Sequence, residues 1–185
     1  MNTTDPSIAT VQPPEVKRIL ASRVILLAPD LSGIWLNQRN MDAPLCPGRW
    51  QAPGGTIEEG ENPLSAIIRE TFEEANLWLP PEEFAPFDVT GFNSRHLGGS
   101  FVQIYWLLYL MHEGDVPLNM EPSKAGTFKL VPWHKIKGER LIRGMADCLP
   151  RLRETVKTLA KATLGETDRV FTAANRQLDE ECNGI

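Results

Sequence analysis

Between Gly55 and Leu77 the chain places Glu70, Glu73 and Glu74 one helical turn apart. At 100° per residue, Glu73 and Glu74 fall within about 60° of Glu70 on either side, so the three carboxylates share one face. Leu64, Ile68, Thr71, Phe72 and Ala75 lie on an arc centred roughly 160° away and can be buried. The spacing therefore predicts a helix that packs with one face and coordinates a divalent cation with the other. Asn62 suits its N-cap and Pro63 its first helical position, which fixes the register of the carboxylates. A lone pair of glutamates is most often a solvated helix face. Here Gly55, Glu61, Arg69, Glu70, Glu73 and Glu74 are all in place, and chance would match that pattern on the order of 10⁻⁷ times per window.

These residues resemble the box of the Nudix hydrolases, Gly-x5-Glu-x7-Arg-Glu-U-x-Glu-Glu-x-Gly-U with U apolar. The preceding Gly48-Arg49-Trp50-Gln51-Ala52-Pro53-Gly54-Gly55 is similar to that family as well. Asn76 departs from the family glycine, which ends the helix in a left-handed conformation, and asparagine is the next residue most able to adopt it. Thr71 departs from an apolar position, where its hydroxyl can bond back to the preceding turn. The resemblance implies Mg²⁺ as cofactor, with Mn²⁺ able to substitute. It implies Glu70, Glu73 and Glu74 as metal ligands, one of them acting on the attacking water, and the backbone carbonyl of Gly54 as a further ligand. It favours an orienting role for Arg69, and it implies a homodimer.

Glycine at 54 and 55 has two readings, an ordinary turn or a place where backbone must approach a metal and a diphosphate closely. Arg69 flanks the carboxylate face, where it can hold a glutamate by a bidentate pair or touch phosphate. Glu61 falls on another side of the helix by angle and is expected to support the site, bracing the loop through Arg69 or backbone amides. Deprotonated carboxylates around a hard cation suit the two needs of phosphoryl chemistry, an activated water and a neutralised leaving pyrophosphate.

At 185 residues with 42% hydrophobic and 23% charged residues, the chain can bury one core. A net charge of −5 argues against nucleic acid as the main partner, and no apolar run reaches membrane-spanning length. Cys46, Cys148 and Cys182 show no metal-ligand spacing and fit reduced thiols in a cytoplasmic protein without a signal peptide.

Three segments are expected: a disordered start over residues 1–15, a domain over 16–163, and a tail over 164–185. Arg18 to Leu27 and Ile34 to Asn37 read as a hairpin, and Asn40 to Gly48 as a proline-containing loop. Phe87 to Asn93, Phe101 to Met111 and Gly126 to Val131 read as strands, with a Gly98-Gly99 turn between the first two and a short helix over Pro132 to Ile136. A final helix runs from Arg143 or Leu149 to Ala162, with Leu149, Leu152, Val156 and Leu159 as a packing stripe. Strands around one box helix, closed by a second helix, suit an α/β/α sandwich with a mixed sheet.

A second match follows downstream. Asn119-Met120-Glu121-Pro122-Ser123-Lys124, with Val131-Pro132-Trp133, resembles a stretch in plant and animal Nudix enzymes that act on nucleoside triphosphates, oxidised ones included. This implies that Glu121 reaches the metal site from a loop and that Lys124 lies near phosphate, although such residues alone are commonly just solvated. That subfamily has Cys and Trp where this chain has Ala125, Phe128 and Leu130, so the base pocket is rebuilt. Phe128 can stack on a base or serve the core, and Asn93, with Ser94, Arg95 and His96, can read a base edge or phosphate. Residues typical of members acting on ADP-ribose or dinucleoside polyphosphates are absent at the corresponding positions. The leading expectation is a hydrolase (MutT-like) that splits a (deoxy)nucleoside triphosphate, damaged or non-standard ones included, into monophosphate and pyrophosphate. The alternatives are another small organic diphosphate (nucleotide sugar, dinucleotide, isoprenyl diphosphate) or a binding module of the same fold that has lost catalysis.

Overall fold

A computed structural model of the chain describes residues 17–94, 99–109, 116–137 and 139–164. The expected disordered start, Arg95 and His96 of the expected polar segment, Gly98 of the expected turn, and the tail with Cys182 lie outside the described residues.

The longest apolar alternation builds the centre. Strand β1 (Lys17–Leu27) runs parallel to β6 (Gly99–Tyr109) over their whole length, and β6 continues antiparallel into β5 (Phe84–Ser94). On the other side β1 pairs antiparallel with β2 (Gly33–Gln38), the expected hairpin, and β2 pairs with β3 (Trp50–Gln51) and β7 (Lys129–Pro132). The short β4 (Gly54–Thr56) pairs with β1, setting Gly54 opposite Arg23 and Thr56 opposite Ala21. Both parallel and antiparallel pairs occur, as a mixed sheet requires.

Alternation along β1 and β6 divides the core into two layers. Val24, Leu26 and Leu108 face α1 (Pro63–Ala75) and meet Ile67. Ile25, Leu27, Tyr105 and Leu107 face the other way and meet Trp133 and Ile136 of α2 (Trp133–Ile136) and Met145, Cys148, Leu152 and Val156 of α3 (Arg143–Leu164). The result is the α/β/α sandwich that the sequence predicts.

The box helix is capped as its sequence requires. Asn62 accepts a bond from the Ser65 amide at 2.9 Å, Pro63 occupies the first turn, and Asn76 closes the helix with φ 54°. The Asn76 and Leu77 amides donate to the Phe72 and Thr71 carbonyls, satisfying the last turn. Ser22 of β1 donates to the Pro63 carbonyl at 2.8 Å and accepts from the Trp106 indole at 2.8 Å, which ties the start of α1 to the middle of the sheet.

Three sequence expectations are corrected. The buried side of α1 consists of Ala66, Ile67, Thr71 and Ala75, while Leu64 and Ile68 are half-buried and Phe72 is 46% exposed. The helix is rolled so that the carboxylate flank also meets the protein, and Phe72 turns outward against Trp78 in an edge-to-face pair. Thr71 is fully buried, its hydroxyl donating to the Ile67 carbonyl at 2.6 Å. Strand β7 begins at Lys129 rather than Gly126, because the backbone of Ala125 and Gly126 instead meets Arg39 and Gln38. In α3 the buried stripe runs Met145, Cys148, Leu152, Val156 and Ala160, which leaves Leu159 38% exposed and Leu149 at its edge. Pro150 sits inside α3.

Candidate active site

Two short segments of backbone meet the carboxylate flank of α1. The β4 strand brings Gly54 to Glu74, whose Oε2 accepts the Gly54 amide at 2.8 Å. Gly54 has φ +133°, and a Cβ there would lie 2.2 Å from the Ser22 carbonyl, so only glycine fits. At Gly55 a Cβ would lie 2.3 Å from Glu70 Oε1, which shows how closely the glycine backbone and that carboxylate are packed.

Arg69 organises the remaining acids. Its guanidinium donates to both oxygens of Glu61 at 3.0 and 2.9 Å, to Glu70 Oε1 at 2.8 Å, to Glu73 Oε2 at 3.1 Å and to the Thr56 carbonyl at 3.3 Å. Glu61 also accepts the Glu58 amide at 3.1 Å, the bracing that its position suggests. The Glu61 and Glu70 side chains are 15% and 13% exposed and that of Glu73 is 50% exposed, so Arg69 joins two enclosed acids to an open one.

The second motif arrives by backbone pinning. The amides of Leu118 and Met120 donate to the carbonyls of Ala75 and Glu74, so the loop runs along the last turn of α1. Asn119 shapes it, accepting the Glu121 amide at 3.0 Å and donating to the Ala125 carbonyl at 2.7 Å. Glu121 Oε1 accepts from Lys124 Nζ at 2.6 Å, whereas its Oε2 is buried with no hydrogen-bond partner among the described residues.

The electrostatics follow from this crowding. Burial pushes the Glu74 carboxyl up to about 7, against the Gly54 amide and the Arg23 charge, with Glu70 and Glu121 adding to the rise. Burial also raises Glu70, partly offset by Arg69. The Arg69 bond holds Glu61 below its ordinary value, and the Glu121 bond holds the Lys124 ammonium above its own.

Carboxylate oxygens and a backbone carbonyl are the donors a hard divalent cation accepts. The Glu121 Oε2, buried and unpartnered among the described residues, beside the raised Glu74 carboxyl marks a place where a positive charge would relieve an electrostatic cost, so the residues fit such an ion. As they lie, the acids are held by Arg69 and the Gly54 amide, and no three acidic, histidine or cysteine side chains among the described residues are gathered into a coordination cluster.

Phe128 and Asn93 are the remaining predicted residues, and for Phe128 the core alternative holds. Phe128 is buried, 8% exposed, just before β7. Asn93 lies on β5, its Oδ1 accepting from Ser100, and β6 and β1 separate it from β4, about 14 Å by strand spacing. The sequence reading missed Arg23, which donates to the carbonyls of Ala52 and Gly54 at 3.0 and 3.1 Å. A single arginine within an apolar strand, Ser22-Arg23-Val24-Ile25-Leu26-Leu27, was the available signal.

The NUDIX domain pattern matches residues 17–152. The chain belongs to the Nudix family. It is 30% identical to Nudix hydrolase 25 of Arabidopsis thaliana over 139 residues, covering 66% of this chain and 77% of that protein. It is 29% identical over 92 residues to an RNA pyrophosphohydrolase of Helicobacter pylori (strain P12), covering 45% of this chain and 59% of the relative's length. Among solved structures, the MutT protein of Methanosarcina mazei Go1 superposes with a TM-score of 0.60 at 20% identity, over 76% of this chain and 96% of that one, which supports the fold. As a Nudix hydrolase, the protein acts on a phosphoric anhydride. No helix among the described residues is long and apolar enough to cross a membrane.

Proposed function

We propose that this Nudix hydrolase is a cation-dependent pyrophosphohydrolase that cleaves a (deoxy)nucleoside triphosphate, damaged or non-standard ones included, to monophosphate and pyrophosphate. The observation that carries the reading is the juxtaposition of Glu74 on the Gly54 amide with Glu121, whose Oε2 atom is buried and unpaired among the described residues, and its Lys124 partner. A diphosphate bond approached by four carboxylates needs positive charge, and Lys124 supplies some of it from the chain itself.

Glu70, Glu73, Glu74, the Gly54 carbonyl and Glu121 are the groups that would hold Mg²⁺ or Mn²⁺. When bound, the ion would neutralise the leaving pyrophosphate and make water more acidic. Arg69 keeps Glu70 and Glu73 in register, and Glu61 keeps Arg69 in place. One of the glutamates accepts the proton of the attacking water, while Lys124 is close enough to the acids to bind a phosphate oxygen. The glycines at 54 and 55 let substrate approach the backbone.

The triphosphate choice is supported by the Asn119 to Lys124 loop lying beside Glu74. A panel of nucleoside triphosphates, a nucleotide sugar, a dinucleotide and an RNA bearing a 5′-triphosphate, assayed with Mg²⁺, tests it. Free pyrophosphate from a nucleoside triphosphate supports the reading. Two monophosphate-bearing halves from the sugar or dinucleotide as the preferred reaction would replace it, and absence of turnover throughout would favour a binding role.

A further inference from the structure

Arg23 stands on β1 directly opposite Gly54 and beside Tyr105 of β6. One nitrogen of its guanidinium, Nη1, donates to both the Ala52 carbonyl at 3.0 Å and the Gly54 carbonyl at 3.1 Å. The next residue of the strand, Val24, donates its amide to the Pro53 carbonyl at 3.0 Å. All three carbonyls of Ala52-Pro53-Gly54 are thus claimed by two consecutive residues of β1. Pro53 has no amide hydrogen with which the turn could hold itself.

This grip has a direction. The guanidinium is planar and its two Nη1 hydrogens are fixed in angle, so satisfying two carbonyls at once leaves the intervening peptides little freedom. The peptide so fixed is the one that sends the Gly54 amide to Glu74 Oε2 at 2.8 Å with φ +133°. A carbonyl oxygen carries two lone pairs, so the bond from Arg23 leaves Gly54 one for a further partner. Arg23 Nε, meanwhile, is buried with no partner among the described residues. An unpaired buried donor costs stability, so the side chain is placed for what Nη1 reaches rather than for a complete set of bonds.

We propose that Arg23 is a positioning residue for the hydrolysis: by holding the Ala52 and Gly54 carbonyls it aims the Gly54 amide and thereby sets the place of the Glu74 carboxylate. The inference rests on the hydrolytic reading above for its catalytic consequence, but the aiming of the amide is independent of it.

The test compares Arg23→Met, Arg23→Lys and Glu74→Gln with the wild type. In metal-free protein, the Gly54 amide proton resonance of Arg23→Met is expected to move toward its position in Glu74→Gln, where the charged acceptor is gone. With substrate and Mg²⁺, kcat is expected to fall on the order of 100-fold with KM changed less than about threefold. Arg23→Lys, whose shorter, flexible chain ends in an ammonium without the fixed planar geometry, is expected to fall between. An unmoved Gly54 resonance, a loss confined to KM, or equal kcat losses in the Lys and Met variants would overturn the proposal. Should Arg23→Met not fold, Arg23→Gln provides the same amide measurement with a shorter donor. A wild type that hydrolyses no diphosphate would defeat the hydrolytic reading alone, and the Gly54 resonance would still decide whether Arg23 aims the amide.

Discussion

Gly54 donates its amide to Glu74 at 2.8 Å, joining the β4 strand to the last turn of α1 across 20 residues of sequence. Through this one bond, a backbone that only glycine can adopt sets the position of the acid whose carboxyl is pushed up to about 7 by burial. The two neighbouring glycines then differ in what a side chain would disturb.

Gly54→Ala is expected to destabilise the fold by about 2 kcal/mol or more, since it combines a positive φ with a backbone clash. Gly55→Ala meets a carboxylate instead, so it is expected to cost only about 1 kcal/mol of stability, through loss of the Arg69–Glu70 bond. By displacing Glu70 it should lower kcat on the order of 100-fold. Urea unfolding beside steady-state kinetics separates the two effects.

Arg69 serves three acids at once. Arg69→Gln is expected to destabilise the protein by about 1–3 kcal/mol, read as a shift of the urea midpoint at constant slope. Arg69→Lys should recover only part, because one ammonium cannot span Glu61 bidentately and still reach Glu70.

The capping and the box were legible because both are local. Asn62, Pro63 and Asn76 act within a few residues of their partners, so spacing alone finds them. The Arg69 pairing with Glu61 was legible for the same reason, lying one loop and two turns apart. The roll of the helix was not: angles around α1 identify which residues share a face, but which face is buried depends on Ser22, Trp106 and the sheet. Hence Phe72 lies outside and Ile67 inside. Arg23 escaped notice because its partners are set by strand register, a long-range property that periodicity does not contain.

Asn76 tests the local part of this account. Asn76→Gly is expected to be neutral or to stabilise by less than about 1 kcal/mol, whereas Asn76→Val should cost about 1–2 kcal/mol, since a β-branched residue resists φ 54°. Thermal unfolding of the two variants beside wild type measures the difference.

The raised Glu74 carboxyl gives the metal-free protein a distinctive pH response. Its folded value of about 7 lies above the ordinary 4.5, so the stability it contributes is fully present below about 4.5 and is lost as pH rises through about 7. Between those limits the loss is of order 2–3 kcal/mol. Measured in chelator from pH 4.5 to 8, the difference in unfolding free energy between wild type and Glu74→Gln should grow steadily in favour of the variant. A flat difference would mean that the carboxyl is not held in a desolvated place.

On the proposed function, Glu74, set by Gly54 and flanked by Glu70, Glu73 and Glu121, is needed to break a phosphoric anhydride. The most direct measurement is the rate of pyrophosphate release from a nucleoside triphosphate with Mg²⁺, for wild type and Glu74→Gln, at equal folded fraction. Turnover by the wild type and a loss of roughly 10²- to 10⁴-fold in the variant are expected. Undiminished release by Glu74→Gln would contradict this role.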